Sequence, residues 1–386
     1  FIYAPAPPFN SAGGSMLLIA KNDGFGKIGE LDLNGVEIET PAYFVTRSDL
    51  NALQSSPLLK DAHLRRFKVG VTVEWLDRER LDKLMGGGFG EIKSEIGNKI
   101  KKMVPEKKIV HFAFKGVKDL SPSELLTLLD VQAELGMDVI EVPDGLSLNP
   151  MSFKGRLETA LQWKEHTDTD AELMGIAARE ANVKVLVDAD KKLDCYGISL
   201  NYLRSTRPML NLVYEHLKPR GKWIHSFSTP RSYYDMDYKG TIGPLINFYG
   251  IDTFSCYQQD PEGVQDYIAR IKAENAEERR SRAEALKFFD PTDYEQIMVR
   301  DIRAAMEEEY ELRDSCPCPV CADMTVGNLL ADQNNTFYNI RSHEAFSYAN
   351  EADGFRDEKD AESRRDYIRD KKFASRFIPT THLSDF

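Results

Sequence analysis

The sequence predicts an α/β protein built on a closed, TIM-like (β/α)8 barrel with extra helices after it. Three observations carry that expectation. Strand-like and helix-like segments alternate about seven times over some 200 residues, as parallel strands covered by helices do. That number of alternations favours a closed eight-stranded barrel over an open sheet, and no repeat points to a solenoid. Hydrophobic residues make up 42% of the chain and charged residues 29%, the balance of a globular domain with a sizeable core.

Taken in order, residues 1–15 are rich in Pro, Gly and Ala. They lack a basic-then-apolar pattern, so they read as a flexible leader and not a signal peptide, with Met16 as the expected natural start. Residues 16–260 form the expected barrel core. It opens with "GKIGELDLNGVEIETPA", two short strands around an Asn34-Gly35 turn. "FKVGVTVEW" reads as a strand and "LDRERLDKLM" as a helix. "KKIVHFAF" is a strand, and "SPSELLTLLDVQAELG" a helix capped by Ser121 with Glu124 three residues on. "MDVIEVPD" is the next strand, and a helix runs through "FKGRLETALQWKEH". "DAELMGIAAREA" reads as a helix, "NVKVLVDA" and "LDCYGISL" as strands. The helix "RPMLNLVYEHL" precedes the strand "GKWIHSFS", and "IGPLINFYG" precedes the strand "IDTFSCY". Chemistry in such barrels sits at the C-terminal strand ends, which draws attention to Asp144, Asp188, Ser199, Ser226 and Ser255, with Glu74 a further carboxylate.

Residues 261–315 are charge-dense with a helical period, and are expected to form a solvated helical insertion. Within it, "EERRSRAEALK" could contact a nucleic-acid backbone. Residues 316–386 complete the chain as a helical subdomain around a cysteine cluster.

Three of only five cysteines fall in "CPCPVC", as Cys316, Cys318 and Cys321, and His343 follows 22 residues later. Three thiolates and an imidazole make the closed tetrahedral set of a structural zinc ion. Pro317 and Pro319 stiffen the knuckle in advance. Dithiol redox chemistry has no use for a third cysteine and a distant histidine. The few cysteines outside the cluster argue for a reducing, cytoplasmic setting rather than a disulfide framework. A formal charge of -12 argues against a protein wrapped in nucleic acid but leaves room for a local basic groove. No apolar run nears the roughly 20 residues of a membrane span.

With that spacing the chain resembles the tRNA-guanine transglycosylase (queuine and archaeosine tRNA-ribosyltransferase) superfamily, whose zinc site is C-x-C-x-x-C with a distant His. Four further stretches agree in order: "GKIGELDLNGVEIETPAYFV", "LSPSELLTLLDVQAELGMDVIEVPD", "KWIHSFSTPRSYY" and "YGIDTFSCY". The similarity runs from about Gly26 to Phe355. It implies a barrel with a zinc-binding C-terminal insertion that exchanges guanine for a 7-deazaguanine in tRNA or DNA. The route is covalent: a carboxylate attacks the sugar C1′ and the incoming base displaces it, with the target base taken out of its stack. The resemblance also implies a homodimer or a heterodimer with another transglycosylase subunit.

Asp144 occupies the base-recognising position of the family, and His225, Ser226 and Ser199 are the accompanying substrate-pocket candidates. The nucleophile position holds Ser255 instead of Asp, in Gly250-Ile251-Asp252-Thr253-Phe254-Ser255-Cys256, with Asp252 the nearby acid. The general-base position falls on Ala113 or Met85, neither of which ionises. Two functions follow: a divergent base-exchange enzyme, or a catalytically silent subunit that binds a catalytic partner or nucleic acid.

Overall fold

The computed structural model describes residues 16–22, 26–143, 149–200, 206–235, 238–331 and 333–374. It is a mixed α/β fold with a mainly parallel central sheet.

The chain enters through three antiparallel strands, β1 (Met16–Lys21), β2 (Ile28–Leu33) and β3 (Val36–Thr40). The β2–β3 turn is where the sequence puts it: Asn34 and Gly35 both take positive φ, 46° and 85°, as a two-residue hairpin turn needs. Leu31, Leu33 and Ile38 are buried against Val69, Ile109 and Val139, which lie in the first halves of the parallel strands. This small sheet therefore closes the N-terminal end of the central one.

The parallel strands are β4 (Ala42–Tyr43), β5 (Val45–Thr46), β6 (Val69–Leu76), β7 (Lys107–Phe114), β8 (Val139–Val142), β9 (Glu172–Ala177), β10 (Cys195–Ser199) and β11 (Ile224–Thr229), joined later by β14 (Thr253–Cys256). The short strands β12 (Tyr233–Asp235) and β13 (Tyr238–Gly240) come between. Hydrogen bonding gives the order β4-β14-β11-β10-β9-β8 in one sheet and β5-β6-β7 in another. β4 and β5 are two pieces of one extended segment, interrupted only at Phe44, whose N–H donates to Phe254 O at 2.8 Å. Between β7 and β8 the Glu141 side chain does the bridging. Its carboxyl accepts from the Phe112 backbone N–H and meets His111 Nδ1 at 2.7 Å.

Two elements exchange identity relative to the sequence reading. "ELMGIA", expected within a helix, is β9, and all six residues are buried. With both faces covered there is no alternation to reveal a strand, and Leu, Met and Ala read as helix formers. "NVKVLVD", expected as a strand because valine alternates, belongs to the Glu180–Asp188 helix; Val183 and Leu186, three apart, share its buried face. Asp188 therefore ends a helix, not a strand.

The insertion is helical on both sides of a hairpin, with the helix Val299–Ala305 following it. The Pro261–Ala273 helix buries none of its residues and the Ala276–Glu284 helix buries only Ala283, as a solvated pair should. A hairpin follows where helix was expected: β15 (Lys287–Asp290) and β16 (Glu295–Met298). Its turn is set by Asp290, whose side chain accepts from Thr292 N–H. It joins β12 and β13 in an antiparallel sheet beside the long Gln333–Asp357 helix.

Candidate metal centre and the adjoining strand ends

The cysteine knuckle is a run of tight turns. Cys316 N–H donates to Leu312 O, and Cys321 N–H and Ala322 N–H both donate to Cys318 O. Winding the chain this tightly turns three sulfurs toward one point. His343 comes from the Gln333–Asp357 helix, its Nδ1 lying 3.7, 3.4 and 3.2 Å from the sulfurs of Cys316, Cys318 and Cys321. The four donor atoms all lie within 4.8 Å of one another and all four residues are buried. They could hold a metal ion.

The histidine tautomer follows from its other nitrogen. Nε2 lies 2.7 Å from the carbonyl oxygen of Phe289, so Nε2 carries a hydrogen and Nδ1 is the nitrogen that faces the sulfurs, the one a metal ion would take in place of a proton. Phe288 stacks on the ring at 3.9 Å. Both aromatic residues belong to β15, the strand not foreseen from sequence. Burial alone would lower the His343 pKa; the Cys318 and Cys316 sulfurs outweigh it and push it up to about 10. The Cys316 thiol is driven far below its ordinary value by hydrogen bonds from Cys318 and Cys321. Hydrogen bonds from Cys316 and Cys318 push the Cys321 thiol the other way, up.

Beside His343 begins a network that ties the cluster to the strand ends. Glu344 accepts from Arg231, from Arg341 Nη1 at 2.8 Å and from Tyr348 O–H at 2.8 Å. Arg231 also grips Asp49, which accepts from Tyr43 O–H and from Thr46 N–H and O–H. Burial would raise the pKa of both carboxyls, but Arg231 and Arg341 overcome it and hold both below the usual range. Tyr43 packs on Phe254, ring centroids 5.1 Å apart, one residue before Ser255.

Register decides which candidates meet. His225 lies opposite Gly197 and Thr253, and Phe227 opposite Ser199. Side chains alternate along a strand, so Ser199, His225, Phe227, Thr253 and Ser255 share one face, while Ser226 and Asp252 take the other. Ser255 Oγ is 3.2 Å from His225 Nε2, and His225 Nδ1 is 2.8 Å from Thr253 Oγ1, which also accepts from Trp223 Nε1–H at 2.7 Å. Burial, reinforced by the nearby His111, holds the His225 pKa well below its ordinary value. The ring is neutral, and it can receive the serine proton in the tautomer that donates from Nδ1 to Thr253.

The other predicted residues are engaged elsewhere. Ser226 Oγ pairs with Thr229 Oγ1 at 3.0 Å. Asp252 precedes β14, at the end away from the strand C-termini, and forms a fully buried ion pair with Lys27 at 2.7 Å while accepting from Ile224 N–H. Glu74 faces outward to Lys99 and Arg80. Ala113 is buried in β7, whereas Met85 is exposed in the wide turn Leu84–Gly88. Asp144 lies outside the described residues.

Sequence reasoning missed His111 and Glu141. His111 stacks on Phe227 at 4.4 Å, and Phe227 contacts the His225 ring at 4.2 Å. Glu141 thereby brings a carboxyl to the face that carries Ser255. It hides in the apolar run "MDVIEV", where only its presence as a charged residue in a buried strand could have drawn notice.

No protein-family model matches the chain, and no curated protein matches it. Among the described residues no helix is long and apolar enough to cross a membrane.

Proposed function

We propose that this protein is a divergent guanine transglycosylase-type enzyme that exchanges guanine for a 7-deazaguanine in DNA or tRNA, and that its cysteine cluster holds a structural zinc ion. The observation that carries the reading is the assembled tetrad. Cys316, Cys318, Cys321 and His343, spaced as in the family, converge on one buried point. Their network reaches the strand end beside Ser255. Three sulfurs and one imidazole nitrogen match zinc in softness and number and leave no position open for substrate. Zinc would fasten the knuckle to the Gln333–Asp357 helix and take no part in the chemistry.

The same reading makes the two parallel sheets one closed (β/α)8 barrel. β4 and β5 supply a common strand at one junction, and Glu141 spans the β7–β8 seam at the other. Within it, Ser255 stands where the family has its nucleophile. Its Oγ attacks the sugar C1′ as its proton passes to His225 Nε2, the C1′–N9 bond breaks, and guanine departs with that proton. The incoming base then attacks C1′ through N9 and gives its N9–H proton to His225, which passes it to the departing Ser255 Oγ. Asp144 would accept the N1–H and amino hydrogens of the base.

A second reading is a catalytically silent subunit that pairs with an active transglycosylase or binds nucleic acid. It is favoured by the pairing of Asp252 with Lys27 and by the serine, which as an alkoxide is a poorer leaving group than a carboxylate. Incubation with labelled guanine and either duplex DNA or tRNA separates the two. The enzyme reading expects incorporation that Ser255→Ala abolishes. Absence of label from both nucleic acids, with tight binding to a catalytic homologue, sinks it.

A further inference from the structure

Asp252, Asp49, Glu344 and Glu74 are each buried against a lysine or arginine. Glu141, wholly buried, has no such partner among the described residues. Its carboxyl accepts from Phe112 N–H and meets His111 Nδ1 at 2.7 Å, so its hydrogen bonds are met while its charge is not. A buried charge without a counter-charge is costly, and such groups gather where a site uses them.

His111 carries that charge toward Ser255. Its bond to the carboxyl places the ring hydrogen on Nδ1. Nε2 has no hydrogen-bond partner among the described residues; a hydrogen there would be unmet, so this nitrogen keeps its lone pair. Ile109, one step earlier on the same face of β7, belongs to one core cluster with Phe227, Val139, Met174 and Ile176 from three other strands, so the face is an interior one. His111 stacks on Phe227, Phe227 meets the His225 ring, and His225 Nε2 lies 3.2 Å from Ser255 Oγ. The contacts run unbroken from Glu141 to Ser255. His111 is 5% exposed, against 0% for His225 and 1% for Ser255, so it is the member of this chain that a ligand reaches first. Ala113, where the resemblance would put a general base, is the next residue on the same face of β7.

Breaking the C1′–N9 bond builds positive charge on the sugar ring. A carboxylate nucleophile would balance that charge, and Ser255 does not. We propose that Glu141, acting through His111, supplies the negative charge that stabilises the sugar cation as this bond breaks. His111 Nε2 is the atom that faces the sugar, and Glu141 is a positioning residue behind it. Neither residue forms a bond to the sugar or gives up a proton. The proposal rests on the base-exchange reading above.

The first test is calorimetric titration with two ribose mimics, a cationic iminoribitol and its neutral ring-oxygen counterpart, with guanine present to fill the base site. The wild type should prefer the cation about tenfold or more. Glu141→Gln should abolish the preference and leave affinity for the neutral mimic within about twofold. His111→Gln, which keeps the carboxyl and its backbone N–H bond, should reduce the preference about threefold or more. Metal content and melting temperature show that each variant is folded, and His111→Gln decides alone if Glu141→Gln is not. Equal affinities in the wild type, no detectable binding of the cation, or a preference that the folded variants retain overturns the assignment. The second test is incorporation of labelled guanine into tRNA or duplex DNA. Glu141→Gln should lower kcat about a hundredfold with KM within about threefold, and an unchanged kcat also overturns the assignment. If the wild type prefers the cation but incorporates no guanine, base exchange falls while the negative charge at His111 stands.

Discussion

The Cys3His cluster and the sheet face around Ser255 are both buried groups of polar side chains, yet their polar atoms are arranged in opposite ways. At the cluster, three sulfurs and an imidazole nitrogen converge on one point. Along the sheet, each group already has its complement. Asp252 has Lys27, Glu141 has His111 and a backbone N–H, Asp49 and Glu344 have Arg231, and Ser255 has a neutral histidine. Convergence of four soft donors on one buried point is the arrangement that a metal cation completes. Compensation pair by pair describes a network complete in itself. The contrast teaches that buried polar residues point to a metal when their donor atoms converge on one centre instead of pairing off.

The largest expected effect breaks the first half of that contrast. Cys321→Ala or His343→Ala should remove about one metal per chain and cost more than about 4 kcal/mol of stability, since loss of a structural metal belongs with the most damaging changes. Metal analysis and thermal melts check this, and a His343→Ala protein that keeps its metal and melting temperature would falsify the four-ligand assignment.

Next comes the buried pair. Burial lowers the Lys27 pKa and raises that of Asp252, pressing both toward neutrality, so the pair is held by mutual need and not by net gain. Lys27→Met should cost about 3–5 kcal/mol by stranding Asp252, whereas Lys27→Met with Asp252→Leu should recover most of it. Urea unfolding of the three proteins measures the difference.

pH should separate the two regions further. The His225 pKa is lowered on folding, so below its unfolded value near 6.5 the unfolded chain binds the extra proton and stability falls. Asp49 and Glu344 have lowered folded values, so their contribution is present above about pH 4–5 and is lost as pH falls through those values. Two successive losses of stability are expected on acidification. His225→Gln should remove a slope of at most about 1.4 kcal/mol per pH unit from the upper one, and an unchanged profile in that variant would exclude His225 as its source. The smallest change is Ser255→Ala, which loses one hydrogen bond to a neutral ring. It should cost about 1 kcal/mol or less, while base exchange, if Ser255 is the nucleophile, disappears.

Most of the strand and helix order is legible in the chain. The Asn34-Gly35 turn, the Ser121–Glu124 capping box and strands β6, β7, β10, β11 and β14 all stand where pattern puts them. β9 was not legible, because burial on both faces erases the alternation that marks a strand, and the Glu180–Asp188 helix was not, because its valines alternate as a strand's do. The β15–β16 hairpin was hidden by its charged surroundings, although "KFFDPTDYEQIM" holds paired aromatics and an Asp-Pro turn signal. With it went Phe289, the acceptor that sets the tautomer of His343.

The sequence alone determined the four donors, because the ligands of one ion are specified by residue type and short spacing, and three of them fall within six positions. What became of the acidic and hydroxyl residues was decided only by the tertiary structure. Arg231 meets Asp49 across 182 positions and Glu344 across 113, and Lys27 reaches Asp252 from the far end of the core. Whether a carboxylate is free to do chemistry depends on what folding buries against it, and no local pattern encodes that neighbour.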